Sequence, residues 1–308
     1  MAGSFASPCL HQPVRSISLP SRLHPNSQKI EALLSKLKTW ELSFTSMGSP
    51  LGGETIQVGL TGLAELYNSI KELIQSPLTQ QALLQHQFRK LVEDTLDESI
   101  GLLDACGTAR HLLLNMKIHV QVLQSALRRK GRDHSSIESS VQAYICFRKK
   151  AKKKDIIKSI RALKTMQSNV VAFDLLQADL HLLMVIKVLR ELSSVTISVC
   201  RSLFVFLSVP AMRTKANGWS LISKVLMPVT FAASDRGQKM LNEVGSVDIV
   251  LCSLDGQFRK DGAKIDVQMV LRRLQALDGS VEGLEGGLEC LFRCLIQHRV
   301  SLLNLLTP

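Results

Sequence analysis

Two short segments of this chain combine residue types and spacing that could do chemistry with a partner. The first is Arg15-Ser16-Ile17-Ser18-Leu19-Pro20. An arginine three residues before a serine suits a basophilic kinase, because the guanidinium pairs with acidic groups in the kinase cleft. A phosphate on Ser18 would add roughly −1.5 to −2 charge and three strong acceptor oxygens, which an arginine cluster on a reader protein can grip. The second is Arg148-Lys149-Lys150-Ala151-Lys152-Lys153-Lys154. Each Lys or Arg held near an anionic leaflet contributes about 1 kcal/mol, so such a run can keep a protein at a membrane without a lipid anchor.

Arg15, Ser16, phosphorylated Ser18 and Pro20 resemble the docking pattern of 14-3-3-type phosphoserine readers, which makes such a protein the expected partner of the tail. Lys149-Lys150-Ala151-Lys152 also satisfies a loose nuclear-import pattern, so an import receptor competes with lipid for the same cations. Nucleic acid is a poorer match. Sequence reading needs base-contacting polar side chains among the phosphate binders, and here lysines dominate with only Tyr144 and Phe147 close by.

Catalytic constellations are not found. The chain has no phosphate-binding glycine loop, no dinucleotide fingerprint, no His-Glu-x-x-His and no nucleophile elbow. His111 and His119 have no acidic partner at ligand spacing, and the histidines are expected at the surface or its boundary. Glu93, Asp94, Asp97, Glu98 and Asp104 read as a solvated helix face pairing with Lys or Arg one turn away. Seven scattered cysteines without Cys-x-x-Cys spacing, and no hydrophobic leader, argue against a disulfide framework and for a reducing compartment. Cys290 and Cys294, one helical turn apart, read as small core residues. The expectation is no enzyme, no cofactor and no metal.

Composition agrees with a globular chain. Of 308 residues, 45% are apolar and 21% charged, whereas aromatics are only 5%, poor material for sandwiches or a base-stacking surface. The net charge of +12 is local: between Arg128 and Lys164 thirteen basic residues face three acids. Such a field is aimed at a polyanionic partner surface. The most apolar stretch, Ser202 to Met212, lies between Arg201 and Arg213 and falls short of the roughly 20 residues a bilayer requires.

The elements that must position these segments are helical. Residues 1–25 are Ser-, Pro- and Arg-rich with no acid and read as a disordered tail, a composition that also fits a transit peptide. Residues 26–308 read as one helical domain. Ile30, Leu33, Leu37, Trp40 and Phe44 form one seam, and Ile56, Leu60, Leu63, Tyr67, Ile70 and Ile74 a second, ended by Pro77. A third runs through Leu84, Phe88, Leu91 and Leu96, with Gly101 and Gly107 as interruptions before Leu113 to Leu127. Ile137, Val141 and Ile145 lead into the basic run, and Ile156, Ile160 and Leu163 follow it. Eleven residues from Ile145 to Ile156 make about three turns plus 20°, so one unbroken helix is expected. Arg148, Lys149 and Lys152 then fall on the apolar stripe, so the helix is expected either to overhang the bundle or to turn these side chains outward. A long pattern spans Leu175 to Leu207, loops are expected at Met212–Gly218 and Leu254–Gly262, and a coiled-coil-like seam runs from Val281 to Leu305 with Gly283, Gly286 and Gly287 weakening its start. The fold class is all-α: an elongated multi-helix bundle with few or no strands.

Seven ordered blocks carry a family resemblance: HQPVRSISLPSRLH (His11 to His24), GLAELY (Gly62 to Tyr67), CGTARHLLLNMKIHVQVLQSALRR (Cys106 to Arg129), YICFRKKAKKK (Tyr144 to Lys154), RSLFVFLS (Arg201 to Ser208), WSLISKVLM (Trp219 to Met227) and LECLFRCLIQHRVSLLN (Leu288 to Asn304). Together they resemble the plant-specific BYPASS-related family of helical proteins. The chain departs from that pattern at His111 and Leu112, where polar residues are expected, and at Cys294, where a basic residue is common. The resemblance implies a role in root and shoot development and no enzymatic activity. The resulting expectation is a non-enzymatic regulatory or scaffold protein of the cytoplasm, acting through protein contacts and at anionic membrane surfaces. The alternatives are an enzyme or binder of a small developmental signal, or a nuclear nucleic-acid-associated factor; the alternative locations are the nucleus and, from the transit-peptide-like composition of the tail, the plastid. Oligomeric state is open.

Overall fold

The computed structural model describes residues 26–46, 51–85, 88–129, 134–168, 180–208, 242–258 and 266–307. The 1–25 tail, with Arg15, Ser16, Ser18 and Pro20, lies outside the described residues, as do the block at Trp219 to Met227 and the loop expected at Met212–Gly218. Among the described residues the secondary structure is helical, with no strand. The helices are α1 (Ser27–Ser46), α2 (Gly53–Gln75), α3 (Pro77–Leu83), α4 (Arg89–Arg128), α5 (His134–Ala151), a π-helical turn (Lys152–Ile156), α6 (Ile157–Ser168), α7 (Leu180–Ser208), α8 (Glu243–Phe258) and α9 (Val267–Leu306).

Helix α1 buries Ile30, Leu34, Leu37 and Trp40, with Leu33 half-buried beside the seam. It runs antiparallel to α2. Trp40 lies over Gly59, where an added Cβ would come within 2.5 Å of the indole, and its Nε1 donates to the Thr55 carbonyl at 2.7 Å. Helix α2 buries all six seam residues expected of it. It stops at Gln75, and Ser76 begins the next helix by accepting a hydrogen bond from Thr79 N at 3.3 Å, with Pro77 in the first turn where no N–H is needed.

Helix α4 is unbroken over 40 residues, so Gly101 and Gly107 do not interrupt it. A mid-helix glycine costs about 1 kcal/mol relative to alanine, less than the packing of a long apolar face returns. At Gly101 the missing side chain makes room for Met166 of α6, whose Sδ would lie 2.9 Å from an added Cβ. Leu84 is exposed beyond α3 and takes no part in the α4 seam, whereas Phe88, Leu91 and Leu96 are buried. Helix α9 starts at Val267, well before Val281, because Asp266 caps it by accepting from Met269 N at 3.0 Å. Its glycines serve contact: an added Cβ at Gly283 would come within 2.6 Å of Gln57, and at Gly287 within 3.1 Å of Leu60. Both neighbours are on α2, so α2 and α9 pack closely and run parallel.

Four helices make the centre: α9 lies between α2 and antiparallel α4, and α7 packs on α2 and α4 from the other side. At 40 residues each, α4 and α9 extend about 60 Å, which makes the bundle long. The α5–α6 rod lies along α4 and α7, α1 packs on α2 and α7, and α8 sits against α5 and α9. Leu254, expected in a loop, is buried within α8, which continues to Phe258. Helix α7 is described from Leu180, so the expected positions from Leu175 lie outside the described residues. No helix among the described residues is long and apolar enough to cross a membrane.

Candidate functional site: the basic turn and the network behind it

The buried stripe of the α5–α6 rod is Ile137, Val141, Tyr144, Arg148 and Ala151, then Ile156, Ile160 and Leu163. Its steps are four, three, four and three until a step of five crosses the lysines. In an α-helix five residues overshoot one turn by about 140°, which would throw Ile156 off the stripe. The π-helical turn Lys152–Ile156 absorbs the extra residue, so the rod is continuous and both of its faces stay in phase. The outer face carries Lys149, Lys150, Lys153, Lys154, Lys158, Arg161 and Lys164, all exposed.

Arg148 is the correction. It is 8% exposed and points into the protein, neither overhanging the bundle nor turning outward. Its Nε donates to Asp248 Oδ1 at 3.1 Å, its Nη2 to Oδ2 at 2.9 Å, and its Nη1 to the Leu207 carbonyl at 2.6 Å. Tyr144, one turn earlier, donates its hydroxyl to Asp248 Oδ1 at 2.8 Å. Burial alone would disfavour the Arg148 charge; Asp248 and Tyr144 outweigh it and hold the guanidinium more firmly protonated than in water. Burial, with the Asp248 charge, raises the Tyr144 hydroxyl well above its ordinary range. Lys152 is half-buried beside this network, and burial followed by repulsion from Arg148 lowers its pKa to about 8. Of the six expected surface cations, Lys149, Lys150, Lys153 and Lys154 are exposed, Lys152 is intermediate, and Arg148 is a core residue.

Helix α8 delivers Asp248. Its apolar seam of Val244, Val247, Leu251 and Leu254 is buried. Asn242 starts the helix by accepting from Gly245 N at 2.9 Å while its amide donates to the Phe206 carbonyl at 3.1 Å. Glu243 accepts from Gly53 N at 3.2 Å and from the Ser280 hydroxyl at 3.0 Å, tying α8 to α2 and α9. Tyr144 and Asp248 were not singled out from sequence. A phenol and a guanidinium one turn apart on an apolar stripe were the available signal, together with an aspartate beside four buried aliphatics on a distant helix.

A second polar group lies in the bundle centre. The Thr196 hydroxyl donates to the Leu192 carbonyl at 2.7 Å, so the Tyr67 hydroxyl donates to Thr196, at 3.0 Å. His298 meets Tyr67 edge-to-face at 5.4 Å, and burial lowers its pKa to about 4, leaving it neutral at pH 7. His298 and His181 are therefore core residues, against the surface expectation, while His111 is exposed and His119 stacks on Phe147 at 4.9 Å. The Cys106 thiol is raised well above its ordinary pKa by its hydrogen bond with Cys200 and by burial, so it is not a nucleophile. The six described cysteines are free thiols; Cys294 is buried and Cys290 half-buried. Arg89 pairs with Glu93 at 3.2 Å and Lys90 with Asp94 at 2.6 Å, as the helix-face reading requires, but burial raises the pKa of Glu98. Among the described residues no group of three or more His, Cys, Asp or Glu is placed to hold a metal ion.

No curated protein and no solved structure matches this chain significantly. Residues 59–305 match the profile of the family described as Protein BPS1, a span that includes α4, the basic turn, the Arg148–Asp248 pair and nearly all of α9. The chain belongs to the BPS1 (BYPASS1) family, a plant protein family linked to development.

Proposed function

We propose that this BPS1-family protein is a non-enzymatic regulatory scaffold in root and shoot development, and that it engages anionic membrane surfaces through its basic rod. The observation that carries the reading is the outer face of that rod: Lys149, Lys150, Lys153, Lys154, Lys158, Arg161 and Lys164 are all exposed and follow one side of a continuous helix. A face of this kind meets a flat polyanion with several cations at once, at about 1 kcal/mol each. Buried Arg148 takes no part in the contact; anchored by Asp248, it keeps that face turned outward. The tail supplies a second, switchable contact: phosphorylated Ser18, with Arg15, Ser16 and Pro20, docks a 14-3-3-type reader.

Co-sedimentation with vesicles tests the membrane reading. The native protein should pellet with phosphatidylserine vesicles at low salt and not with neutral ones. At 1 M salt, where the Debye length is about 3 Å, the attraction should collapse. Replacing Lys149, Lys150, Lys153 and Lys154 by Gln should abolish pelleting with helix content unchanged. Binding that is equally strong to any soluble polyanion, without a preference for vesicles, would count against both the membrane reading and the nuclear nucleic-acid alternative.

A further inference from the structure

The seam of α9 is satisfied inside the chain, yet the opposite side of the α4–α9 pair is apolar. On α4, Ile100, Leu114, Ile118 and Val122 are about half exposed, and on α9 so are Ile296, Val300 and Leu303. The antiparallel register puts them on one face, since Lys117 pairs with Glu285, Arg110 with Glu289, and Arg299 donates to Ser99. Exposed aliphatics at three-four spacing cost solubility and, unlike scattered ones, mark an interaction surface. Gly107 lies on the same line, and no atom of the described residues comes within 4 Å of where its Cβ would be. Here, unlike at Gly101, no group among the described residues uses the space.

We propose that this face binds a second copy of the chain, with α4 crossing its symmetry mate antiparallel about a two-fold axis between Leu112 and Leu113. The face is self-complementary in that register, as a two-fold interface must be. Ile118 of one copy lies over Gly107 of the other, Val122 meets half-buried Leu103, and Leu114 meets His111. Charge agrees with the same register. The exposed acids of α4 are in its N-terminal half, including Asp97 and Asp104, and Arg128 and Arg129 end the helix. Antiparallel pairing brings Asp97 of one copy to Arg128 of the other, at both ends of the contact; parallel pairing would set like charges together. Seven half-exposed aliphatic side chains at on the order of 80 Å² each offer roughly 550 Å² per copy before the polar rim is added, against about 800 Å² per partner in a standard interface.

Sedimentation velocity of the full chain from 1 to 100 µM tests this. The native protein should shift from monomer to dimer across that range. Gly107→Glu and Ile118→Glu should each hold it monomeric with a thermal melt no lower than that of the native monomer, since both positions face outward among the described residues and the first also removes a mid-helix glycine. Asp97→Arg and Arg128→Asp should each weaken dimerisation about tenfold, and the double reversal should restore it. A chain that stays monomeric throughout overturns the proposal. So does a dimer indifferent to all four changes, or an intrachain cross-link from Ile118→Cys to residues 209–241, which would give the face to that segment.

Discussion

Removing the carboxylate at Asp248 should expose how much the basic turn depends on the network behind it. Asp248→Ala leaves a guanidinium that is 8% exposed and loses its bonds at 3.1 and 2.9 Å, while its bond to the Leu207 carbonyl remains. Tyr144 loses its acceptor in the same step. Breaking a buried pair by removing one partner costs about 3–5 kcal/mol, because the remaining charge is stranded in a poorly polarisable interior. Urea unfolding followed by far-ultraviolet circular dichroism should therefore give a lower midpoint with little change in slope. The double replacement Arg148→Met with Asp248→Leu removes both charges and should recover most of the loss, because an aliphatic pair of similar volume escapes the desolvation cost. Asp248→Ala costing under about 1 kcal/mol, or a double variant no more stable than the sum of the two singles, would refute the reasoning.

Other outcomes follow from the same geometry. Leu291→Ala and Leu295→Ala, both at positions with no exposure, should each cost about 2–5 kcal/mol in the same assay. His298 has its folded pKa depressed to about 4, so the unfolded chain takes up the proton first as pH falls. Stability from this group is complete above about pH 6.5 and declines by about 3 kcal/mol down to about pH 4; His298→Phe should flatten that part of a pH-dependent melting profile. A synthetic peptide of residues 11–25 phosphorylated at Ser18 should bind a 14-3-3 protein by fluorescence polarisation, and its unphosphorylated twin should not.

Helical periodicity was legible because burial of one face leaves a three-four repeat wherever it occurs. The seams of α1, α2 and the second half of α9 are buried much as the spacing of Ile30, Ile56 or Leu288 implies. What spacing could not convey was where tertiary partners override local cost. Gly101, Gly283 and Gly287 look like breaks in a one-dimensional reading, but each is a contact with another helix. The basic run misled for a related reason. Counting from Ile145 gave three whole turns, yet Ile145 is only half-buried, and the stripe runs through Tyr144 and Arg148. The five-residue gap from Ala151 to Ile156 is the trace of the π-helical turn. The counter-ion for Arg148 lies 100 residues away on α8, so no local pattern could show that a cation there is affordable.

The central claim is a division of labour within one basic run: the exposed lysines bind an anionic surface, and Arg148 holds the fold. A binding isotherm on phosphatidylserine vesicles, repeated across salt concentrations, tests it most directly. The native protein should lose affinity steeply with salt, and each of Lys149, Lys150, Lys153 and Lys154 changed to Gln should weaken binding about fivefold, which is about 1 kcal/mol. The Arg148→Met, Asp248→Leu double variant should bind like the native protein. Affinity that is indifferent to salt and to the lysines, or no binding to anionic vesicles at low salt, would contradict the account.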